Sequence, residues 1–385
     1  MASESTNYQC PSCGGHLHFE ARTNSLECDF CGSRFRPEDV ETYYTRKHGN
    51  VAAETPHAAE ASIDPNTAVE TERVEAGEDP IQAYLKRSRW DDEDARSMRA
   101  YNCSSCGAQL MVDQVTAIKQ CPYCGNETIV PGRLSDALRP DYLIPFRKTK
   151  EDAIAALREY YHDKKLLPKN FSDENHLNEI QGVYVPFWLY STTADADAKF
   201  SMTNVITWSD KKNLYTKTDH YAAERTGSID FARVPVDGST RMPDAHMDSI
   251  EPYDYSEMVP FSLGYLPGFM ADRYDQNAEE CKARAEERME KSMQDALSRT
   301  VEGYATVSLD GCSSSVIWND IRYALLPVWM LHTRWNERDF LFAMNGQTGK
   351  MIGDLPISRK RLAMRFLAVF APIAVATFAV LRFVL

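Results

Sequence analysis

"YQCPSCGGHLHFE" at residues 8–20 returns at residues 101–113 as "YNCSSCGAQLMVD", and each copy is completed by a second C-x-x-C pair, Cys28/Cys31 in the first and Cys121/Cys124 in the second. Eight of the ten cysteines thus fall into four pairs of one spacing. In a reducing compartment that pattern reads as metal ligation, not as a disulfide framework. In both copies fourteen residues separate the second cysteine from the third, room for a short hairpin that returns the chain to the same point. A C-x-x-C turn presents two sulfurs from one loop, and two such turns complete the tetrahedron that zinc favours. A glycine follows the second cysteine of every pair (Gly14, Gly32, Gly107, Gly125), where a backbone free to take positive φ can aim amides at sulfur.

The spacing therefore predicts two structural Zn²⁺ ions, one held by Cys10, Cys13, Cys28 and Cys31 in a ribbon over 8–36, the other by Cys103, Cys106, Cys121 and Cys124 in a ribbon over 101–131. Four thiolates leave no open position, so neither ion is expected to be catalytic. His16 and His18 lie between the first two pairs and are expected to face solvent. A segment of this length buries too little surface to fold alone, and zinc contributes roughly 10–16 kcal/mol in finger peptides.

Ribbons of this kind often grip nucleic acid, but the charges speak against it. The chain carries a net charge of −13. The first ribbon sets Arg22, Arg34 and Arg36 against Glu20, Glu27 and Asp29, and the second sets Lys119 and Arg133 against Asp113 and Glu127. Neither has the basic face that phosphate contacts require. Protein docking or a purely structural role is the expectation, and a membrane-tethered nucleic-acid-binding regulator the alternative.

Between the ribbons, residues 45–80 are rich in Ala, Glu, Thr and Pro; from Asn50 to Asp79 eight acidic residues face the single Arg73. That composition predicts a disordered acidic linker. Residues 133–358 have the mixed pattern of an α+β domain with antiparallel strands. Thr149 and Asp152 form a capping-box pattern ahead of a helix with Ile154, Leu157 and Tyr161 on one face. A second helix is expected from Asn277, its buried stripe Cys281, Ala285, Met289, Met293 and Leu297. "YVPFWLY" at 184–190 and "LLPVWML" at 325–331 share a Pro two residues before Trp, each after a Pro-Phe segment (Pro145-Phe146, Pro260-Phe261) and a helix, which raises an internal duplication.

The chain ends in "RKRLAMRFLAVFAPIAVATFAVLRFVL". Residues 366–385 are apolar apart from Arg382, about 30 Å of helix and so one bilayer core. Arg359, Lys360, Arg361 and Arg365 precede them, which by the positive-inside rule puts that side in the cytoplasm. The start, "MASESTNYQC", has no signal-peptide pattern, so the N-terminal part is expected to stay cytoplasmic. The fold class is thus α+β: two small four-cysteine zinc ribbons, a mixed domain and a C-terminal transmembrane helix.

No enzyme is expected. "NGQTGKM" at 345–351 lacks the spacing of a phosphate-binding loop and reads as a turn. Asp195 and Asp197 read as a solvated strand face, and Cys281 and Cys312 as structural thiols.

Several longer phrases, among them "LIPFRKTKEDAI", "GVYVPFWLY", "VPVDGSTRMPDAHMDSIEPYDYSEMVPF", "YLPGFMADRYD", "LPVWMLHTRW" and "FAMNGQTGKMIGDLP", resemble the YdjG-like family of bacterial membrane-anchored TFIIB-type zinc-ribbon proteins, some mislabelled primosomal helicase. The resemblance covers about residues 100–385, which makes the ribbon at Cys10–Cys31 look like an addition. It implies protein partners at the membrane, of the phage-shock type or stomatin-like and virion-core-like, together with another membrane protein, in an envelope-stress setting. No catalytic residue comes with it, and the helicase motor motifs are absent.

Overall fold

The computed structural model describes residues 9–48, 79–87, 98–113, 120–127, 129–132, 138–162, 164–168 and 179–384, together with Trp90, Ile118 and Phe171. Apart from its two ends, the stretch expected to be an acidic linker lies outside these residues.

The first ribbon is its own three-stranded antiparallel sheet, β1 (Leu17–Glu20), β2 (Ser25–Cys28) and β3 (Arg34–Phe35), followed by α1 (Pro37–His48). That helix goes beyond the sequence reading, although Pro37 at its first position and Glu38 and Asp39 in its first turn are ordinary start signals. Helix α2 (Pro80–Arg87) buries Ile81 and Tyr84. Next come β4 (Met98–Cys103), β5 (Gln109–Asp113), β6 (Ile129–Gly132), β7 (Tyr142–Leu143) and α3 (Lys150–His162).

The rest is built on three long strands. β8 (Gln181–Ser209) and β9 (Leu214–Asp237) form a hairpin; then come α4 (Asp244–Ile250), β10 (Val259–Pro260), β11 (Met270–Asp272), α5 (Lys282–Ser298), β12 (Thr306–Trp335), β13 (Arg338–Asn345), β14 (Met351–Gly353) and α6 (Arg359–Val384). Among the described residues, all strands outside the first ribbon share one eleven-stranded sheet, in which β8 lies between β12 and β11 and β5, β4 and β6 continue beyond β11. The second ribbon's strands therefore extend the body's sheet.

The aromatic run "GVYVPFWLY" and the alternating run "AKFSMTNVITW" lie on one strand, β8, about 95 Å long at ~3.3 Å per residue. The change in pattern along it records a change in surroundings. Over 183–190 both faces are buried, Tyr184, Trp188 and Tyr190 on one side and Val183, Val185, Phe187 and Leu189 on the other. From Ala194 to Met202 only one face is covered, where Ala194, Ala196, Ala198, Phe200 and Met202 pack against Met293 and Leu297 of α5. Alanines at alternate positions let that helix lie close. Past Thr203, the last β8 residue paired with β12, the hairpin continues alone to its Asp210–Asn213 turn. Strands β8, β9 and β12 thus project from the body as an arm.

Both helix readings hold. Thr149 and Asp152 cap α3 reciprocally, the Thr149 amide donating to Asp152 Oδ2 at 2.9 Å and the Asp152 amide to Thr149 Oγ1 at 3.3 Å. Asn277 and Glu280 do the same ahead of α5, where Ala285, Met289, Met293 and Leu297 are buried. The helix itself starts at Lys282, after the capping turn, with Cys281 at its N-cap. The two Pro–Trp motifs face each other: Pro186 pairs with Leu325 and Pro327 with Tyr184, symmetric about the pair Val185–Leu326. Flanking them, β7 runs parallel to β12 and β11 parallel to β8. In this symmetry the counterpart of β7 is β11, not the Pro260-Phe261 segment that the sequence pairs with Pro145-Phe146.

Candidate metal centres

The four knuckles are built alike. After the second cysteine, Gly14, Gly32, Gly107 and Gly125 take φ of +74°, +68°, +74° and +67°. Each donates its amide to the carbonyl of the first cysteine, at 2.8 Å in the first knuckle and 2.9 Å in the other three. A side chain at any of these four would strain that turn.

The turns bring all eight predicted cysteines into two clusters. The sulfurs of Cys10, Cys13, Cys28 and Cys31 lie within 4.8 Å of one another, and so do those of Cys103, Cys106, Cys121 and Cys124. Cross-knuckle Sγ–Sγ distances are 3.6 Å for Cys10–Cys31, 3.5 Å for Cys13–Cys28, and 3.6 Å for both Cys103–Cys124 and Cys106–Cys121. Four sulfurs at about 2.3 Å from a central ion sit about 3.8 Å apart, whereas a disulfide needs about 2.05 Å. The donor sets fit two tetrahedral, thiophilic ions. His16 and His18 stay outside them: His18 Nδ1 faces Asp29 Oδ1 at 2.9 Å, and His16 lies beside Phe30.

Without metal the sulfurs compete for protons. Burial pushes Cys106 up to about 11, and Cys103 would rise too but for the amides of Cys106 and Ser105, which bring it down to about 7. In the first cluster the Ser33 hydroxyl and amide bring Cys31 down to about 6. A divalent ion replaces those protons, so binding strengthens as pH rises.

The two ribbons are held to the body by different means. In the second, Tyr123, inside the C-P-Y-C knuckle, donates its hydroxyl to Asp272 Oδ2 at 2.6 Å. Asp272 is fully buried on β11 and also receives Ser239 Oγ at 3.0 Å and Arg241 Nη1 at 3.3 Å. Arg241 reaches on with Nη2 to the carbonyl of Gly107, in the other knuckle. One buried ion pair thus touches both metal turns. Burial raises the Asp272 carboxyl to about 6 in spite of Arg241 and the two hydroxyls. The second knuckle also fits against β12, where a Cβ at Gly125 would stand 2.7 Å from His332 Nδ1.

The first ribbon docks by side-chain packing. Phe19 lies against Tyr265 and Phe269, with ring centroids 5.3 and 6.2 Å away, and its amide donates to the Pro267 carbonyl. Pro37 seats on Gly264, where a Cβ would come within 2.9 Å of the proline ring. The Tyr265 hydroxyl donates to Glu38 on α1.

Between the ribbons lies a cleft of about 750 Å³ whose lining includes Glu20, Glu127, Glu151 and Glu179, with Phe269 and Trp329. Among the described lining residues the hydroxyl is that of Thr149, which accepts the Asp152 amide in the cap of α3. Asp195 and Asp197 are exposed on the arm, Asp197 accepting from Thr226, and "NGQTGKM" is the β13–β14 turn in which Asn345 accepts from the amides of Gln347 and Thr348. Cys281 is buried and Cys312 half-buried. Sequence reasoning assigned no role to Arg241, Ser239 or Asp272. Asp272 has a signal in "GFMADRYD", where a charged residue ends an apolar strand-like run, whereas "DGSTRMP" reads as an ordinary polar turn.

Fold and sites together define a two-ribbon metal-binding protein with an apolar C-terminal helix. The curated proteins include a relative, the uncharacterised protein YdjG of Bacillus subtilis (strain 168), that is 31% identical over 378 residues, 98% of this chain and 97% of its own length. The chain belongs to the family of that protein. The match takes in the Cys10–Cys31 segment, which corrects the expectation that the likeness begins near residue 100 and that the first ribbon is an addition. No family model matches the chain, and no solved structure matches it.

Helix α6 completes the inventory. Its stretch Arg359–Phe378 is long and apolar enough to cross a membrane, and none of it is fully buried. Phe366, Leu367, Val369, Phe370, Ile373, Val375 and Phe378 all stand exposed.

Proposed function

We propose that this protein is a TFIIB-type zinc-ribbon adaptor, anchored in the cytoplasmic membrane by α6 with its ribbons and body in the cytoplasm, and that it gathers protein partners there without catalysing a reaction. Two closed four-cysteine sites hold Zn²⁺ and brace the body. The observation that carries the reading is the end of the arm. Beyond the cover of α5, the same face of the hairpin presents Ile206, Trp208 and Tyr215, each at least 41% exposed, with Trp208 and Tyr215 stacked at 5.6 Å and the Lys217–Asp219 ion pair beside them. An exposed apolar strip on an ordered element marks an interaction surface. The family resemblance supports phage-shock-type and stomatin-like or virion-core-like proteins as those partners.

Crosslinking in cells followed by purification of the full chain from detergent-solubilised membranes tests this. The expected result is a specific protein partner that disappears in Trp208→Ser/Tyr215→Ser while zinc content stays the same. Recovery of no specific protein, or a salt-dependent complex with DNA or RNA at near-physiological ionic strength, would replace the adaptor reading with the nucleic-acid one. Removal of residues 366–385 is expected to release the protein from carbonate-washed membranes.

A further inference from the structure

The start of α6 is fastened to the turn that follows α3. The Ser358 amide donates to the Leu166 carbonyl at 2.9 Å, and the Arg361 guanidinium donates to the Leu167 carbonyl, 194 residues away in the chain. Tyr160 ties the same region to β14, its hydroxyl donating to the Gly353 carbonyl at 2.9 Å. These contacts bring Lys164 and Lys165, in the turn after α3, beside the basic run that opens the tail helix. Lys164, Lys165, Arg359, Lys360 and Arg365 are exposed, while Arg361 is half-buried as the fastening. The Lys164 ammonium lies 4.7 Å over the Tyr160 ring. Ile357, 63% exposed, belongs to the same short approach to the helix.

Acidic residues are sparse at this foot. From Met351 to Leu385 there is only Asp354, and it faces His246 at 3.5 Å. Among the described residues of the turn after α3, 164–168, there is no acidic residue, and Glu159 lies in the last turn of α3. The foot is therefore basic on a chain whose net charge is −13. Most of the molecule is repelled by an anionic bilayer surface; this part is drawn to it.

We propose that Lys164 and Lys165, with Arg359, Lys360 and Arg365, form a binding surface for anionic phospholipid headgroups that seats the body against the leaflet. The inference rests on reading α6 as a membrane span, and it adds a lipid class and two residues that the tail sequence does not contain. Basic side chains within a Debye length of an anionic leaflet each add attraction, and the increments accumulate. The cations are exposed around a helix axis instead of converging on a pocket, an arrangement suited to a layer of headgroups. Ile357 adds an apolar side chain at the depth where headgroups meet acyl chains.

The test is electron paramagnetic resonance on the full chain in phosphatidylcholine vesicles containing a minority of phosphatidylglycerol, using spin-labelled forms of either lipid. The motionally restricted fraction is expected to favour phosphatidylglycerol by about threefold, to approach parity at high salt, and to fall towards parity in Lys164→Gln/Lys165→Gln. Lys211→Gln/Lys212→Gln, in the exposed turn at the far end of the arm, is expected to leave the preference unchanged. Parity in the wild type, an undiminished preference in Lys164→Gln/Lys165→Gln, or an equal loss in the arm variant would overturn the proposal. A restricted component missing for both lipids would instead contradict the span itself, and the lipid-binding foot with it.

Discussion

The two ribbons share a knuckle and differ in everything around it. The first is a separate three-stranded sheet resting on the body through Phe19, Pro37 and Glu38, whereas the second pairs β5 with β11 and threads a buried ion pair between its two metal turns. Local sequence sets the metal geometry, and distant sequence decides what the metal supports. A metal held by the first cluster would stabilise a module, and one held by the second a corner of the main sheet.

That contrast can be broken by substitution. The largest effect is expected from the metal ligands: Cys106→Ser should lower the unfolding temperature of the whole body, whereas Cys13→Ser should melt only residues 9–48, each with loss of one zinc by native mass spectrometry. Next comes the ion pair. Arg241→Gln leaves the Asp272 carboxylate buried without its counter-charge, a change that typically costs about 3–5 kcal/mol, and Arg241→Met/Asp272→Leu should recover much of that loss in urea unfolding. A smaller effect follows from the raised carboxyl of Asp272. Between about pH 4 and 6 the folded chain keeps a proton that the unfolded chain has released, so this residue's contribution to stability falls as pH rises through that window. Asp272→Asn should flatten that part of the zinc-saturated stability profile. The smallest effect is expected at the rim of the first ribbon, where Arg22 meets Asp152 at 3.4 Å with both side chains exposed; Arg22→Gln should change stability by less than about 0.5 kcal/mol.

The metal sites were fully legible in the sequence because a C-x-x-C-G turn is local: four residues and one positive φ determine where two sulfurs lie. Both long helices were legible for the same reason, since Thr149/Asp152 and Asn277/Glu280 cap within three residues. What escaped was non-local. Nothing between Tyr190 and Ala194 signals that the strand runs on, because the break in apolar pattern there reflects the end of cover on one face and not the end of the strand. The link of Arg241 to Tyr123 and Gly107 spans more than a hundred residues. Likewise, the basic run at Arg359–Arg361 was plain, but Lys164 and Lys165 join it only through the hydrogen bonds at Leu166 and Leu167.

The most direct test of this unequal bracing is amide hydrogen exchange on the full chain in detergent as a chelator is titrated in. Zinc should leave the first ribbon with loss of protection confined to β1–β3 and α1. Its loss from the second should coincide with loss of protection in β11 and in the 181–190 segment of β8. If both ribbons instead release zinc while Met270–Asp272 and 181–190 stay protected, they are pendant modules and the structural role assigned to the second site is wrong.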